Sequence, residues 1–76
     1  MKMINNQRVI KYFGLSLVID AQSEFIATDK DGYVWSYTIK PHKEEDHWFT
    51  MYGRCQELCK VDLEGIDWED TLVCVS

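Results

Sequence analysis

The strongest structural signal in the sequence is a β-hairpin between residues 24 and 39. Two runs of alternating polar and apolar residues, rich in β-branched and aromatic side chains, flank residues 29–32, which read Asp-Lys-Asp-Gly. We expect Asp29 to bond backbone amides beyond it and Gly32 to take the positive φ that closes a type I turn with a G1 bulge. We also expect one aromatic face of the second strand to pack inward, formed by Tyr33, Trp35, Tyr37 and Ile39.

The rest of the chain also shows the period-two alternation of strands rather than the period of helices. Strands are predicted at 8–13, 15–19, 47–52, 58–63 and 71–75, with a turn or bulge at Gly14 and an exposed loop over 40–46. Residues 54–59 are compatible with a helical turn, a strand or a bulge, and residues 67–70 with a tight or 3₁₀ turn capped by Asp67. The predicted fold class is therefore mainly β, a small single-domain antiparallel sheet or partly open barrel of about five to six strands with at most one short helical turn.

Length and composition limit the class of protein. The 76 residues are enough for one small domain. No apolar run approaches the ~18–20 residues that cross a bilayer, and residues 1–8 are too polar for a signal peptide, so we expect a soluble cytoplasmic protein. The three cysteines are an odd number, and without a secretory signal we expect reduced thiols.

The net charge of the chain is concentrated near its end. Residues 1–60 contain eight basic and eight acidic residues, so the whole formal charge of −5 lies in residues 61–76. That stretch has no Lys or Arg and five carboxylates, which are Asp62, Glu64, Asp67, Glu69 and Asp70. Such a field repels nucleic acid and anionic membranes and attracts basic protein surfaces. We expect no direct nucleic-acid or membrane binding; the segment is either a solubilising face or a contact for a basic partner.

Residue patterns that could carry chemistry are few. Zinc-type ligands occur at His42, His47, Cys55 and Cys59, but their spacing is not that of a zinc knuckle, so buried thiols and surface histidines are favoured over a metal site. Residues 29–32 resemble part of a calcium loop, yet the position that needs a bidentate Glu is Lys40. No nucleophile, base and oxyanion donor stand in a recognisable arrangement. We therefore expect neither an enzyme nor a bound cofactor or metal.

The aromatic residues offer an alternative binding site. Core packing is the favoured role of Trp35 and Tyr37, whereas Trp48 and Trp68 stand beside charged segments and are expected to be partly exposed. A small ligand such as a nucleotide could instead bind between aromatic and basic side chains in a protein that could be oligomeric. The residues of that alternative site are Tyr33, Trp35, Tyr37, Lys40 and Lys43.

Three segments resemble small uncharacterised bacteriophage proteins of similar length. They are residues 25–37, FIATDKDGYVWSY, then Lys40-Pro41 with the acidic loop and Trp48, and then residues 60–72, KVDLEGIDWEDTL. The family has no activity to transfer. The resemblance implies a phage accessory protein, a class that commonly binds and inhibits host enzymes or defence proteins without catalysis. We therefore expect a stoichiometric binder of a bacterial host protein with a basic surface, whose contact surface is the segment 62–70 with Trp68.

Overall fold

The computed structural model describes residues 1–2 and 6–75. Within these residues the chain forms eight strands and one 3₁₀ turn, which are β1 Gln7–Tyr12, β2 Leu15–Asp20, β3 Phe25–Thr28, β4 Tyr33–Tyr37, β5 His42–Lys43, β6 Trp48–Phe49, β7 Cys55–Lys60, the 3₁₀ turn Trp68–Asp70 and β8 Val73–Cys74. Every strand pair is antiparallel, so the prediction of a mainly β fold is confirmed. In the described chain no helix is long and apolar enough to cross a membrane.

The strands form one central sheet and two separate hairpins. The central sheet has the order β7-β4-β3-β8, and β1-β2 and β5-β6 each pair only with one another. The antiparallel pairing is as predicted, but the strands are divided among three sheets. The reason lies in the first hairpin, which packs its apolar side chains against a face of the central sheet instead of extending its edge.

Opposite faces of the central sheet are covered by different parts of the chain. On one face, Ile26 and Val34 pack with Tyr12 and Ile19 of the first hairpin. The other face carries the second buried cluster, made of Ala27, Tyr37, Trp48 and Trp68. Both faces of the central sheet are therefore packed, whereas the sequence predicted inward packing of the aromatic face only.

Burial along β4 shows the same two-sided cover. Val34 and Ser36, on the face opposite the aromatic residues, are 0% and 1% exposed. Tyr37 is also buried, but Tyr33 and Trp35 are half-buried. Because both faces are covered, the alternation of β4 does not separate a core face from a solvent face.

The turn at residues 29–32 forms as the sequence predicts. Gly32 has φ 93° and donates its amide hydrogen to the Asp29 carbonyl oxygen at 2.9 Å. The expectation for the Asp29 side chain is wrong, because its carboxylate accepts the backbone amide of Trp48 at 2.8 Å. Asp31 is the residue whose carboxylate accepts an amide of the hairpin, that of Tyr33 at 3.1 Å. Asp29 thus holds the β5-β6 hairpin to the central one.

Element boundaries in the second half of the chain differ from the predictions. The strand expected at 58–63 lies at 55–60, which also excludes a helical turn over 54–59. The predicted loop 40–46 contains β5, the strand predicted at 47–52 is only Trp48–Phe49, and the one at 71–75 is only Val73–Cys74. Short strands depend on the partner they meet, which the local pattern does not contain.

Both tryptophans that were expected to be partly exposed are buried. Trp48 and Trp68 are 9% and 8% exposed, and their rings meet edge to face with centroids 6.2 Å apart. The Trp48 indole N–H points at the Thr28 and Trp68 carbonyl oxygens, 3.1 and 3.3 Å away. The expectation failed because neighbouring charges in the sequence point to solvent while the indoles turn to the sheet.

Candidate protein-binding face

The acidic segment, residues 62–70, presents all five of its carboxylates to solvent. Two of them also order the local backbone, since Asp62 accepts the Glu64 amide and Asp67 accepts the Glu69 amide, both at 2.9 Å. Glu64 and Asp70 have no side-chain hydrogen bond or ion pair within the described chain. Glu64 and Asp70 can therefore interact with a partner without giving up a hydrogen bond or ion pair within the described chain.

Lys43 is the one basic residue that pairs with the acidic segment in the described part of the chain. Its ammonium group donates to the Glu69 carboxylate, and this contact raises the pKa of Lys43. The pair joins β5 to the 3₁₀ turn across an exposed surface. Four of the five carboxylates consequently remain without a cationic partner in residues 1–2 and 6–75.

A groove borders the acidic segment at its first two carboxylates. We call it the turn groove, and its volume is about 150 Å³. Its walls are apolar, and Asp62 and Glu64 line it as well. The wall residues are Phe13, Leu15, Val61, Leu63 and Ile66. No Lys or Arg of the described residues lines the groove, so its electrostatic character is set by the two carboxylates.

A buried hydrogen-bond network forms the base of the turn groove. The Tyr12 hydroxyl lies 2.7 Å from the Thr28 hydroxyl and donates to the Thr71 carbonyl oxygen at 2.9 Å. The Thr28 amide donates to the Thr71 hydroxyl at 2.9 Å. Burial raises the pKa of Tyr12, because its surroundings disfavour the charged phenolate. These groups are already satisfied by one another, and the base is therefore rigid rather than reactive.

Two tight turns form the rim of the turn groove. Phe13 and Gly14, with φ 47° and 82°, connect β1 to β2 as a two-residue loop, and Glu64 and Gly65, with φ 50° and 87°, repeat this pattern. In the second turn the Ile66 amide donates to the Leu63 carbonyl oxygen at 2.9 Å. Two successive positive φ values are those of type I′ turns.

The alternative ligand site predicted from the aromatic residues is only partly assembled. Trp35 and Tyr37 do line one cavity, of about 240 Å³, together with Asp29 and Trp48. The basic residues needed for a nucleotide are elsewhere, because Lys43 pairs with Glu69 and Lys40 does not line the cavity. Tyr33 also lies outside it, with the Lys60 ammonium 5.0 Å from its ring centroid. Among the described residues no Lys or Arg lines this cavity, and its one basic side chain, His47, is paired with Asp46. Together with the Asp29 carboxylate, this lining does not supply the positive charge that a nucleotide phosphate needs.

The four zinc-type ligands do not come together. A register shift opposite Val34 and Trp35 places Cys59 across from Val34 and Cys55 across from Tyr37, and therefore on opposite faces of the sheet. Both histidines are exposed, and His47 contacts the Asp46 carboxylate at 2.8 Å, which raises the pKa of His47. Across residues 1–2 and 6–75, no three His, Cys, Asp or Glu side chains are grouped as a metal site would need.

The predicted contact residues divide into exposed and buried ones. The five carboxylates are at the surface, but Trp68 lies in the core and presents no indole to a partner. The apolar part of the face is formed instead by Phe13, Leu15 and Ile66, which the sequence analysis did not select. The signal in the sequence that could have pointed to this face was Phe-Gly and Glu-Gly at two turns. Neither Phe nor Glu is a preferred residue for a positive φ.

Comparison of the chain with protein-family models, with curated proteins and with solved structures found no match.

Proposed function

We propose that this protein is a non-catalytic binder of a bacterial protein with a basic surface. The observation that carries the proposal is the acidic segment, which holds the entire net charge of the chain and is exposed, with a single cationic contact among the described residues. Complementary charge accelerates association and selects the partner surface. Binding would inhibit by occlusion, because the partner's basic surface would no longer be accessible to its own ligand.

The contact is made by carboxylates and not by Trp68. Glu64 and Asp70 are the strongest candidates, because they are exposed and bond to nothing else in the described chain. Asp62, Asp67 and Glu69 also contribute charge while they hold the backbone or Lys43. Replacing Glu64 and Asp70 therefore changes the electrostatic field of the acidic segment with little effect on the fold.

The proposed setting is the cytoplasm of a bacterium infected by a phage. Support comes from the resemblance of residues 25–37 and 60–72 to small phage proteins, a class in which inhibition of host or defence proteins is common. Inhibition by a binder should level off near one molecule per binding site. Continued inhibition at a small molar fraction would instead indicate turnover and contradict the proposal.

The test compares two double charge reversals. The protein is immobilised, partners are captured from bacterial lysate at low salt, and association rates are measured with each purified partner. We expect Glu64→Lys with Asp70→Lys to slow association by about tenfold or more at low salt. The matched control, Glu45→Lys with Glu57→Lys, makes the same change in net charge at exposed positions outside the acidic segment.

Two results would contradict the proposal. One is an equal loss of association rate in both double variants, which would show that only total charge matters. The other is an association rate that does not depend on salt, because steering by exposed charges is screened within about 10 Å at 0.1 M ionic strength.

A further inference from the structure

We propose that the turn groove receives one large apolar side chain of the partner, carried on a basic segment. This inference rests on the proposed function and adds to it the chemistry that the partner must present. The acidic segment attracts the partner, and the groove beside it then selects a Phe- or Leu-sized side chain with Lys or Arg next to it.

The size and lining of the groove point to a single apolar side chain. Its volume of about 150 Å³ is that of a cavity able to hold a benzene molecule. Three of its wall residues remain substantially exposed, Phe13 at 52%, Leu15 at 43% and Ile66 at 40%. These three come from two turns that are far apart in the sequence, and together they form one apolar surface that nothing in the described chain covers.

The backbone conformation of the rim is a second, independent observation. Phe13 and Glu64 are the two residues other than glycine with positive φ in the described chain, and both line the turn groove. Type I′ turns favour Asn, Asp or Gly at this position, because a larger side chain is strained there. Backbone strain that is retained in a fold concentrates at functional sites.

Packing within the protein accounts for only part of this choice of residues. The Phe13 ring meets the Tyr12 ring edge to face with centroids 4.9 Å apart, but half of Phe13 is still exposed. Within the described chain the Glu64 side chain makes no hydrogen bond or ion pair that would offset its strain. An aromatic wall and a carboxylate at the rim are what a mixed apolar and basic ligand would use.

Charge around the groove determines the rest of the ligand. Asp62 and Glu64 line the groove, and no basic side chain in the described part of the chain does. An acidic or neutral segment with the same apolar residue would leave both carboxylates unpaired, whereas Lys or Arg beside that residue would meet them. The groove therefore distinguishes basic apolar segments from other apolar segments.

The experiment titrates the ¹⁵N-labelled protein with three capped pentapeptides at low salt, up to millimolar concentration, and follows amide chemical shifts. The probes are Lys-Lys-Phe-Lys-Lys, Lys-Lys-Ala-Lys-Lys and Glu-Glu-Phe-Glu-Glu. We expect the first to shift the amides of residues 13–15 and 63–66. The alanine peptide should bind about tenfold or more weakly, because it lacks the buried ring, and the glutamate peptide should not bind.

A variant separates the groove from general surface effects. Phe13→Asn removes the aromatic wall and keeps the turn, because Asn-Gly is a preferred type I′ pair. Binding of the Phe peptide should fall to the level of the alanine peptide. Tyr52→Asn is the matched control, since Tyr52 is 71% exposed and does not line the groove, and it should bind like the unchanged protein.

The outcomes distinguish this inference from the proposed function. Equal binding of the Phe and Ala peptides, with shifts confined to the acidic segment, would overturn the groove and leave the acidic face intact. Equal binding of the Lys and Glu peptides with Phe would contradict the proposed function. Absence of shifts with all three peptides would overturn both.

Discussion

Two kinds of turn in this protein use glycine at positive φ, but they differ in what surrounds the glycine. Gly32, in the turn at 29–32, is buried, and a Cβ there would collide with the carbonyl oxygen of Val61. Gly14 and Gly65, in the turns that form the groove rim, have open space where a Cβ would be. All three have φ between 82° and 93°, so local conformation alone does not separate them.

This difference separates a turn that organises the core from turns with open surroundings, which are the turns where we propose that a partner binds. Gly32 lets two chain segments touch, since its carbonyl oxygen also accepts the Val61 amide at 2.8 Å. The rim turns make no such approach, and their neighbouring residues, Phe13 and Glu64, are exposed and strained. Strain that internal packing offsets only in part is what a binding surface would retain.

The comparison is tested most directly by adding a methyl group to each type of turn. Gly32→Ala should reduce the free energy of unfolding by about 2–5 kcal/mol, because left-handed strain adds to overpacking against Val61. Gly65→Ala should cost only the strain, about 1–2 kcal/mol. Urea denaturation at constant m-value measures both. Equal losses would show that the close approach at Gly32 has no energetic role.

Carboxylates that accept backbone amides should show the same contrast with a smaller effect. Asp29 is half-buried and accepts the Trp48 amide, so Asp29→Ala leaves that amide without its partner and should cost about 1–3 kcal/mol. Asp62 is exposed, and water can replace it at the Glu64 amide, so Asp62→Ala should cost less than about 1 kcal/mol. Thermal unfolding monitored by tryptophan fluorescence compares the two variants.

The pH dependence of stability gives a control for Asp29. Burial raises the pKa of Asp29 above 3.8, so the folded state holds this proton more tightly than the unfolded chain. Its contribution is therefore a loss of stability as pH rises from the unfolded pKa through the folded one. Asp29→Asn should remove that loss and keep an acceptor for Trp48. An unchanged pH profile in Asp29→Asn would contradict the burial of this carboxylate.

The smallest effect is expected from relieving the strained rim residues. Glu64→Asn should raise the free energy of unfolding by about 0.5–1 kcal/mol, because Asn is favoured at this φ. The free energy of unfolding of Phe13→Asn should lie within about 0.5 kcal/mol of that of the unchanged protein. This variant also relieves the backbone strain, but it loses the ring contact with Tyr12. Differential scanning calorimetry checks both. A loss above about 1 kcal/mol in either variant would make that side chain a structural element.

The central hairpin was predictable because its information is local. Alternation over 24–39 and Asp-Lys-Asp-Gly at the turn specify strands, turn and the positive φ of Gly32 without reference to the rest of the chain. The position of β7 was not, because its register depends on the extra residue opposite Val34 and Trp35. Burial of Trp48 and Trp68 was missed for a similar reason: each indole packs on a sheet contributed by distant residues.

The candidate site divides in the same way. The sequence alone determined that residues 62–70 carry exposed charge, because five carboxylates in a stretch without Lys or Arg are too costly to bury. It also determined that the chain is mainly β. Only the tertiary structure decided that the turn at 12–15 meets residues 61–66 and that their apolar side chains form a groove beside Asp62 and Glu64. Contacts between segments some fifty residues apart arise from how the first hairpin packs on the central sheet, and no local pattern contains that packing.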